Sequence, residues 1–345
     1  MIVNGDANHS SFSIPTIDIS PYLRDPTGIA AQHVVDSIRD ALRSTGFFQL
    51  LGHGVPRKIQ LSAFDASKRF FGLPMEVKTK YAASLESGWK GYEILAGQSY
   101  KSNMLGDLKE GVSLAMDLPM GHPLRGVRGR FLTSLTVWPD EPNLPMDEFR
   151  KPIEAYCDAL SQLCGTVMDL IAATLPYGAT VFNEMKIDAA CPLRLLHYPP
   201  MPPGVDESEQ HGASAHTDFS AITLLLQDEN AGLEVFNHDE GTWHTVEPNP
   251  DAYVVNLGDM MTKLLGDRYR SALHRVINRA PTDRYSIVYF FDGNRDFKLQ
   301  PLDRDSPAAA DDQAQYLTCE QYMFDRIRSS YATHNKHDLS LSSTS

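Results

Sequence analysis

The sequence has few cysteines and no long apolar segment. Four of its 345 residues are cysteine, and they form neither a C-x-x-C pair nor the spacing of a zinc site. No run approaches the roughly 20 apolar residues that a membrane-spanning helix needs. The start of the chain is polar and lacks the apolar stretch of a secretory signal. We therefore expect a cytoplasmic protein, not bound to membranes, with reduced and buried thiols, although four cysteines could also form two disulfides.

Positive charge is also in short supply. The chain has 31 Lys and Arg against 44 Asp and Glu, which gives a formal net charge of -13. Nucleic acids and anionic membrane surfaces require a local excess of positive charge, so we expect neither as a partner. A hydrophobic content of 42% is typical of a globular protein with a sizeable core. The expected partner is a small molecule, and the sequence does not indicate an oligomeric state.

The periodicity of apolar residues changes along the chain. Residues 84–145 are rich in loop-forming residues, whereas residues 192–297 consist of short β-type runs such as LRLLHY, AITLLLQ, AYVVNL and YSIVYFF, separated by turns. Helical periodicity predicts helices over residues 30–44, 57–71, 146–174 and 318–330. This is an α+β pattern with a β-sandwich or barrel. We predict four regions: a helical and mixed N-terminal region (13–145), a long helix and connector (146–190), a β core (191–300), and a C-terminal helix and tail (301–345).

One group of residues has the composition of a metal site. His216-Thr217-Asp218 places an imidazole and a carboxylate two positions apart, and alternate side chains of an extended segment point the same way. His274 precedes another predicted strand of the β core. Two histidines and one carboxylate on one face of a metal ion leave positions open, which is typical of non-haem iron(II) oxygenases.

A His-x-acid triplet alone is weak evidence, because one or two are expected by chance in a chain of this composition. A second triplet, His238-Asp239-Glu240, lies in NHDEGTW, which reads as an exposed hairpin turn between two strands. The first triplet instead opens HTDFSAITLLLQD, where a polar start runs into a predicted strand. This context favours His216 and Asp218 as ligands.

Polar residues near these ligands form a predicted anion site. Strand alternation in RYSIVYFF places Arg284, Ser286 and Phe290 on one face. An arginine beside a hydroxyl is suited to a buried carboxylate, because guanidinium forms paired charge-assisted hydrogen bonds. In LRLLHYPP, Tyr198 could add its hydroxyl to the same site. Arg194 shares its strand face and either meets an anionic substrate or lies at a solvated rim.

Taken in chain order, these segments resemble the iron(II)/2-oxoglutarate oxygenases related to isopenicillin N synthase. The resemblance runs from IPTIDIS to Phe297 and includes GFFQLLGHGV, HYPP, HTDFSAITLLLQD, GLEVF, VVNLGDMM, SALHRVIN and RYSIVYFF. Within that family the chain is similar to fungal members that tailor aromatic polyketides, such as those of the tropolone (stipitatic acid) and citrinin pathways. That similarity lies in SSFSIPTIDISPYL, DLKEG and LRLLHYPP.

The resemblance implies a fold and a set of cofactors. The fold is a distorted double-stranded β-helix, or jelly roll, with a helical N-terminal part and a C-terminal helix. The cofactor is Fe(II), bound by the three predicted metal ligands, and the cosubstrates are 2-oxoglutarate and O2. By position, Arg284 and Ser286 would hold the far carboxylate of 2-oxoglutarate, helped by Tyr198.

The expected reaction is oxidation of a C–H bond in a small aromatic polyketide-type substrate, with succinate and CO2 as co-products. Hydroxylation of a methyl group and radical ring expansion both remain open, and Arg194 with Phe290 would suit a flat acidic ring. One alternative is an oxidase like isopenicillin N synthase, which does not use 2-oxoglutarate. Others are an oxygenase of a pyrimidine base or a flavonoid, a non-catalytic ligand-binding protein, and a zinc hydrolase, although no H-E-x-x-H element is present.

Overall fold

The structure, a computed structural model, describes residues 12–84, 86–97, 105–127, 130–140, 142, 144–303 and 316–332. Short strands dominate the second half of this part of the chain, as the sequence predicts. The strands are β1 (Thr16–Asp18), β2 (Phe47–Leu51), β3 (Gly91–Glu93), β4 (Glu110–Ala115), β5 (Pro192–Tyr198), β6 (Ala213–His216), β7 (Ile222–Gln227), β8 (Leu233–Asn237), β9 (Thr242–Thr245), β10 (Tyr253–Leu257), β11 (His274–Val276) and β12 (Arg284–Phe291).

The predicted helices form because each has one apolar face to bury. The helices are α1 (Ser20–Arg24), α2 (Ile29–Ser44), α3 (Arg57–Phe71), α4 (Met75–Lys78), α5 (Arg150–Ala173), α6 (Asn183–Lys186), α7 (Asp259–Leu265) and α8 (Cys319–Ala332). Helix α2 buries Val34, Val35, Ile38 and Leu42 on one side. Helix α5 begins later than predicted, because a turn closed on the carbonyl oxygen of Pro145 precedes it.

The strands form two sheets. The larger has the order β1-β2-β10-β7-β12-β5-β4-β3, and the smaller has the order β6-β11-β8-β9. All neighbouring strands are antiparallel except β1 and β2, which are parallel. Residues of both sheets meet in one apolar cluster, so the sheets form the two layers of a distorted jelly roll.

Side-chain alternation divides the core into two parts. On the outer face of the larger sheet, Leu195, Leu224, Tyr253 and Ile287 pack with residues of α2, α3 and α5. On the inner face, the alternate residues Leu196, Val254 and Val288 pack against the smaller sheet, and Leu225 lies beside them. Burying each large aliphatic side chain contributes about 1.5–3 kcal/mol, so both faces stabilise the fold. The inner face is the one that carries the candidate site.

The described part of residues 84–145 is mostly loop, as predicted, but it also contains two strands that the sequence did not predict. These are β3 and β4, and β4 pairs with β5 along six residues from Glu110 to Ala115. Polar residues and Gly111 hide the strand pattern, and pairing with β5 overrides that low local propensity. Helices α1, α4, α6 and α7 were also not predicted. The boundaries of the four predicted regions stay a prediction, and the tail beyond residue 332 lies outside the described residues.

All four cysteines are free thiols, and Cys157 and Cys164 are buried on the same side of α5. Burial raises the pKa of the Cys191 and Cys319 thiols to about 12. In the part of the chain that the structure describes, every helix is too short or too polar to cross a bilayer.

Candidate active site

The three predicted metal ligands converge where the two sheets meet. His216 ends β6 and His274 begins β11, and the two residues are register partners in the smaller sheet. Asp218 lies two residues beyond the end of β6. The Nε2 atoms of His216 and His274 lie 3.8 Å and 3.6 Å from Asp218 Oδ1. One ligand atom from each residue lies within 4.8 Å of the others, which is close enough for all three to bind one ion.

Hydrogen bonds fix the orientation of each ligand. The Nδ1 atoms of His216 and His274 donate to the carbonyl oxygens of Ser214 (2.7 Å) and Ala272 (3.1 Å), so both Nε2 lone pairs remain available to a metal. Asp218 Oδ2 accepts hydrogen bonds from Thr223 Oγ1 (2.6 Å) and Asn256 Nδ2 (2.8 Å), which leaves Oδ1 on the side of the imidazoles.

The electrostatics also favour a metal. Burial lowers the pKa of His216 to about 4, and the neighbouring His274 adds to this effect, so the imidazole is neutral at pH 7. Burial alone would raise the pKa of Asp218, but His274, His216 and Asn256 hold it well below its usual range. Burial alone would lower the pKa of His274, but the carboxylate of Asp218 raises it. A neutral imidazole and an ionised carboxylate are the forms that bind a divalent cation, so a metal at His274 would take the place of a proton. The N, N, O donor set suits Fe(II) and leaves coordination positions open.

The competing triplet does not form part of any site. His238, Asp239 and Glu240 lie in the exposed turn between β8 and β9, as the sequence predicts. Among the described residues, only His216, Asp218 and His274 bring three potential metal-binding side chains together.

The predicted carboxylate-binding residues lie together on the inner face of the larger sheet. Arg284 is fully buried and is the register partner of Tyr198, whose ring lies 5.0 Å from the guanidinium carbon. Its Nε donates to the carbonyl oxygen of Asn230 (3.1 Å) and its Nη2 to Gln227 Oε1 (2.8 Å). Nη1 is buried and has no hydrogen-bond partner in the described part of the chain.

The unpartnered Nη1 of Arg284 indicates whether this group of residues fits 2-oxoglutarate. Burial lowers the pKa of Arg284, while Tyr198 and Asp228 oppose this effect, and an arginine side chain remains charged at neutral pH. A buried guanidinium with an unused N–H group calls for an anionic oxygen. The buried hydroxyl group of Ser286 lies two positions further along the same strand face. The residues therefore fit a carboxylate.

An inner cavity lies between the two sheets and connects the candidate metal ligands with Tyr198 and Ser286. Arg284 lies next to these two residues in the larger sheet but is not one of the lining residues. The lining includes the three candidate metal ligands, and it also includes Tyr198, Ser286, Val288, Phe47, Leu233 and Val276. Lys109 enters the same cavity and forms a buried salt bridge with Asp107 through its Nζ. Asp107 in turn accepts hydrogen bonds from the backbone N–H (2.9 Å) and hydroxyl (2.6 Å) of Ser214 on β6. The DLKEG segment thus supports the strand that ends in the first candidate ligand.

An outer pocket begins on the other side of the candidate metal ligands. Its lining includes Trp89, Lys90, Glu93, Arg194, Phe290, Asp292 and Ile327. Phe290 and Arg194 line both the inner cavity and the outer pocket, so they lie where a substrate would approach the metal.

Arg194 already has an anionic partner within the protein. Its Nη2 forms a salt bridge with Glu93 Oε2, and both side chains are mostly buried. The sequence predicted a buried or rim arginine that needs a negative charge, and the structure supplies that charge from β3. Contact between Arg194 and a substrate stays a prediction.

Sequence reasoning missed several residues of the site. Thr223 and Asn256 orient Asp218, and Asn256 lies in VVNLGDMM, a segment that carried no predicted role. Gln227 positions Arg284 from the neighbouring strand β7. Asp292 could have been found by extending the alternation of β12 by one step, whereas Glu93 gave no signal in the sequence.

Family models match most of the chain. Residues 190–293 match the model of the 2OG-Fe(II) oxygenase superfamily. Residues 14–141 match a model described as non-haem dioxygenase in morphine synthesis N-terminal. The first match contains every predicted site residue.

Curated proteins and solved structures are similar over nearly the whole chain. A 2-oxoglutarate-dependent dioxygenase of Monascus ruber is 52% identical over 93% of this chain and 97% of its own length. The clavatol oxidase of Penicillium crustosum is 42% identical over 94% of this chain and 98% of its own length. A full-length Neurospora crassa protein, solved in complex with alpha-KG, is 25% identical with a TM-score of 0.79, over 93% of this chain and 98% of that chain.

Proposed function

The chain belongs to the 2OG-Fe(II) oxygenase superfamily, and we propose that His216, Asp218 and His274 hold its iron. The observation that carries this proposal is the convergence of one ligand atom from each residue within 4.8 Å. Hydrogen bonds to the carbonyl oxygens of Ser214 and Ala272 keep both Nε2 atoms directed at the common point. The protein is a 2-oxoglutarate-dependent dioxygenase, so its cosubstrates are 2-oxoglutarate and O2.

Arg284 is the proposed anchor for the far carboxylate of 2-oxoglutarate. Its Nη1 has the capacity for a further hydrogen bond, and Asn230 and Gln227 hold the guanidinium in place. Ser286 supplies a hydroxyl on the same face, and Tyr198 is the proposed second hydroxyl. This anchor leaves the keto and near carboxylate oxygens for the iron.

The bound iron and 2-oxoglutarate together supply O2 activation that oxidises a substrate C–H bond and yields succinate and CO2. The protein contributes by holding the candidate metal ligands in fixed positions. The carboxylate of Asp218 is fixed by Thr223 and Asn256, so the ligand set is in place before any substrate arrives. Apolar side chains such as Val288 and Leu233 line the inner cavity and exclude bulk water from it.

The proposed substrate is a small aromatic molecule of polyketide type, oxidised at a methyl group or an equivalent C–H bond. The similarity to the clavatol oxidase supports this class. The ring face of Phe290 at the junction of the inner cavity and the outer pocket suits a flat ring. Arg194 is proposed to contact the substrate from the same junction, with its charge balanced by Glu93.

Anaerobic titration tests the proposed cofactor site. We expect one equivalent of Fe(II), with 2-oxoglutarate present, to produce the weak visible charge-transfer absorption of the iron chelate. Succinate alone with Fe(II) is the control, since it lacks the keto oxygen and should give no such band. Wild-type protein that binds no iron, or shows no band with 2-oxoglutarate, would contradict the proposal.

A further inference from the structure

Asp292 is an unused polar group in the wall of the outer pocket. Its side chain is fully buried, and neither carboxyl oxygen has a hydrogen-bond partner among the described residues. Buried polar atoms are nearly always hydrogen-bonded, and leaving one unsatisfied costs about 1–3 kcal/mol. Because the side chain lines the outer pocket, a ligand in that pocket can supply the missing partners.

The backbone places Asp292 firmly. It follows the last residue of β12, and its backbone N–H donates to the carbonyl oxygen of Ala190 (2.8 Å). The N–H of Ala190 donates to the carbonyl oxygen of Gly293 (2.9 Å), so the sheet pairing continues past the strand end. Alternation places Asp292 on the same face as Phe290 and, further along β12, Arg284. Arg284 and Asp292, the polar residues at the two ends of this face, are roughly 26 Å apart, given the rise per residue of a strand.

The positive charges near Asp292 are already engaged. Arg295 donates from Nε (3.1 Å) and Nη2 (2.9 Å) to the carbonyl oxygen of Leu132, and from Nη1 to that of Asp188 (2.7 Å). Arg194 pairs with Glu93. Burial raises the pKa of Asp292 to about 8, although the positive charge of Arg295 opposes this effect. The carboxyl group is therefore neutral at pH 7, with one O–H donor and one acceptor oxygen side by side.

We propose that Asp292 is a specificity-determining residue that binds an uncharged edge of the substrate through two hydrogen bonds. That edge carries a donor and an acceptor next to each other, as in a ring hydroxyl beside a carbonyl group. The inference rests on the proposed function, because it assigns the outer pocket to the substrate. Phe290 packs against the ring while Asp292 holds its polar edge, so the two residues orient one C–H bond toward the metal.

The test compares two probes on the full chain loaded with Fe(II) and 2-oxoglutarate without O2. The probes are 2,4-dihydroxyacetophenone and 2,4-dimethoxyacetophenone, which share a ring and a carbonyl group but differ in the hydroxyl donors. Binding is followed as a change in the charge-transfer band. We expect wild-type protein to prefer the dihydroxy probe about 10-fold or more, as for a site built to hydrogen-bond its ligand.

The variants separate hydrogen bonding from shape. Asp292→Asn keeps one donor and one acceptor and should keep most of this preference. Asp292→Leu keeps the branched shape of the side chain, in a larger volume, without either group, and should reduce the preference to within about 2-fold. Asp292→Ala provides the same comparison if leucine lowers the melting temperature. All three variants should retain the wild-type iron and 2-oxoglutarate band, because Asp292 does not belong to the candidate ligand set.

Each outcome decides the proposal. A leucine or alanine variant that keeps the full wild-type preference overturns it, and so does a wild-type protein that binds the two probes equally or binds neither. The proposal is supported if the leucine and alanine variants lose the preference for the dihydroxy probe while Asp292→Asn keeps most of it. Absence of the charge-transfer band in the wild type is a separate result, which overturns the proposed iron and 2-oxoglutarate site instead.

Discussion

The inner cavity and the outer pocket share a few residues but are otherwise built from different parts of the chain. The inner cavity takes its polar groups from paired strands, and Tyr198, Ser286 and His274 each have register partners in a sheet. The outer pocket takes residues from a segment around Trp89, from Leu132, and from Ile327 of α8. Strand pairing fixes positions closely, whereas peripheral segments vary with little effect on the core.

The two regions also differ in how their charges are balanced. Next to the inner cavity, Arg284 shares a strand face with the lining residue Ser286 and retains an unpartnered nitrogen, which suits an anionic cosubstrate. In the outer pocket, Arg194 is neutralised by Glu93, and Asp292 is kept uncharged by burial. We infer that one region is specialised for a dianion and the other for a neutral molecule. The following predictions test this division.

Loss of the candidate carboxylate ligand should have the largest effect. Asp218→Ala removes the oxygen donor at the junction of the two regions, so we expect iron binding to fall below detection and activity to fall about 1000-fold. Metal content after dialysis and succinate release measure these two effects. The matched control is Asp239→Ala in the exposed second triplet, which should leave both unchanged. Equal losses in the two variants would show that the effect is not specific to the site.

Substitution of Arg284 should affect only the inner cavity. Arg284→Lys keeps a positive charge but cannot form the forked hydrogen bonds, so about 1.5–3 kcal/mol of binding is lost. We expect KM for 2-oxoglutarate to rise about 10- to 150-fold, while the apparent affinity for the aromatic substrate changes little. Arg279→Lys is the control, since that half-exposed arginine pairs with Glu207 at the surface. An equal rise in both Michaelis constants would contradict the division between the regions.

The pair formed by Arg194 and Glu93 should show the reverse pattern. Arg194→Ala leaves the Glu93 carboxylate without its partner in the outer pocket, so we expect substrate KM to rise about 10-fold at constant KM for 2-oxoglutarate. Glu93→Gln in the same chain removes that charge and should recover part of the loss. Product formation is compared with uncoupled succinate release in the single and double variants. Unchanged turnover in Arg194→Ala would remove Arg194 from the substrate site.

The smallest expected effect is on stability as a function of pH. The pKa of Asp292 is about 8 in the folded protein against 3.8 for an ordinary aspartate, so the folded state binds the proton more tightly. Its contribution to stability is therefore lost as the pH rises from about 4 to about 8. Asparagine does not titrate, so the melting temperature of Asp292→Asn relative to wild type should rise by a few degrees across this range. A constant difference would show that Asp292 is ionised throughout.

The difference between the inner cavity and the outer pocket also explains how much of the site could be predicted from the sequence. The candidate iron ligands and the arginine–serine pair lie within short motifs, where strand alternation determines which side chains share a face. The prediction that they converge agrees with the structure, and so does the exposed position of the second triplet. Their roles stay predictions until metal and cosubstrate binding are measured.

The outer pocket could not be predicted in the same way. Glu93 meets Arg194 across 101 positions of sequence, on a strand that only its pairing with β4 reveals. Tyr92, which lies in the loop-rich part of the sequence, is buried and donates a hydrogen bond to Glu110 Oε2 (2.6 Å). Trp89 does line the outer pocket. Such contacts depend on how distant segments pack, and the local sequence pattern does not indicate them.

Strand β12 has a consequence for how such enzymes diverge. It carries Arg284 near one end and Phe290 near the other on a single face, and Asp292 continues that face. Inserting or deleting one residue between them would turn one end of the face outward and separate the proposed cosubstrate site from the proposed substrate site. We therefore expect changes in length to be confined to the peripheral segments. With the proposed roles of Phe290 and Asp292, new substrates would be accommodated by replacing side chains at these positions on a strand of constant length.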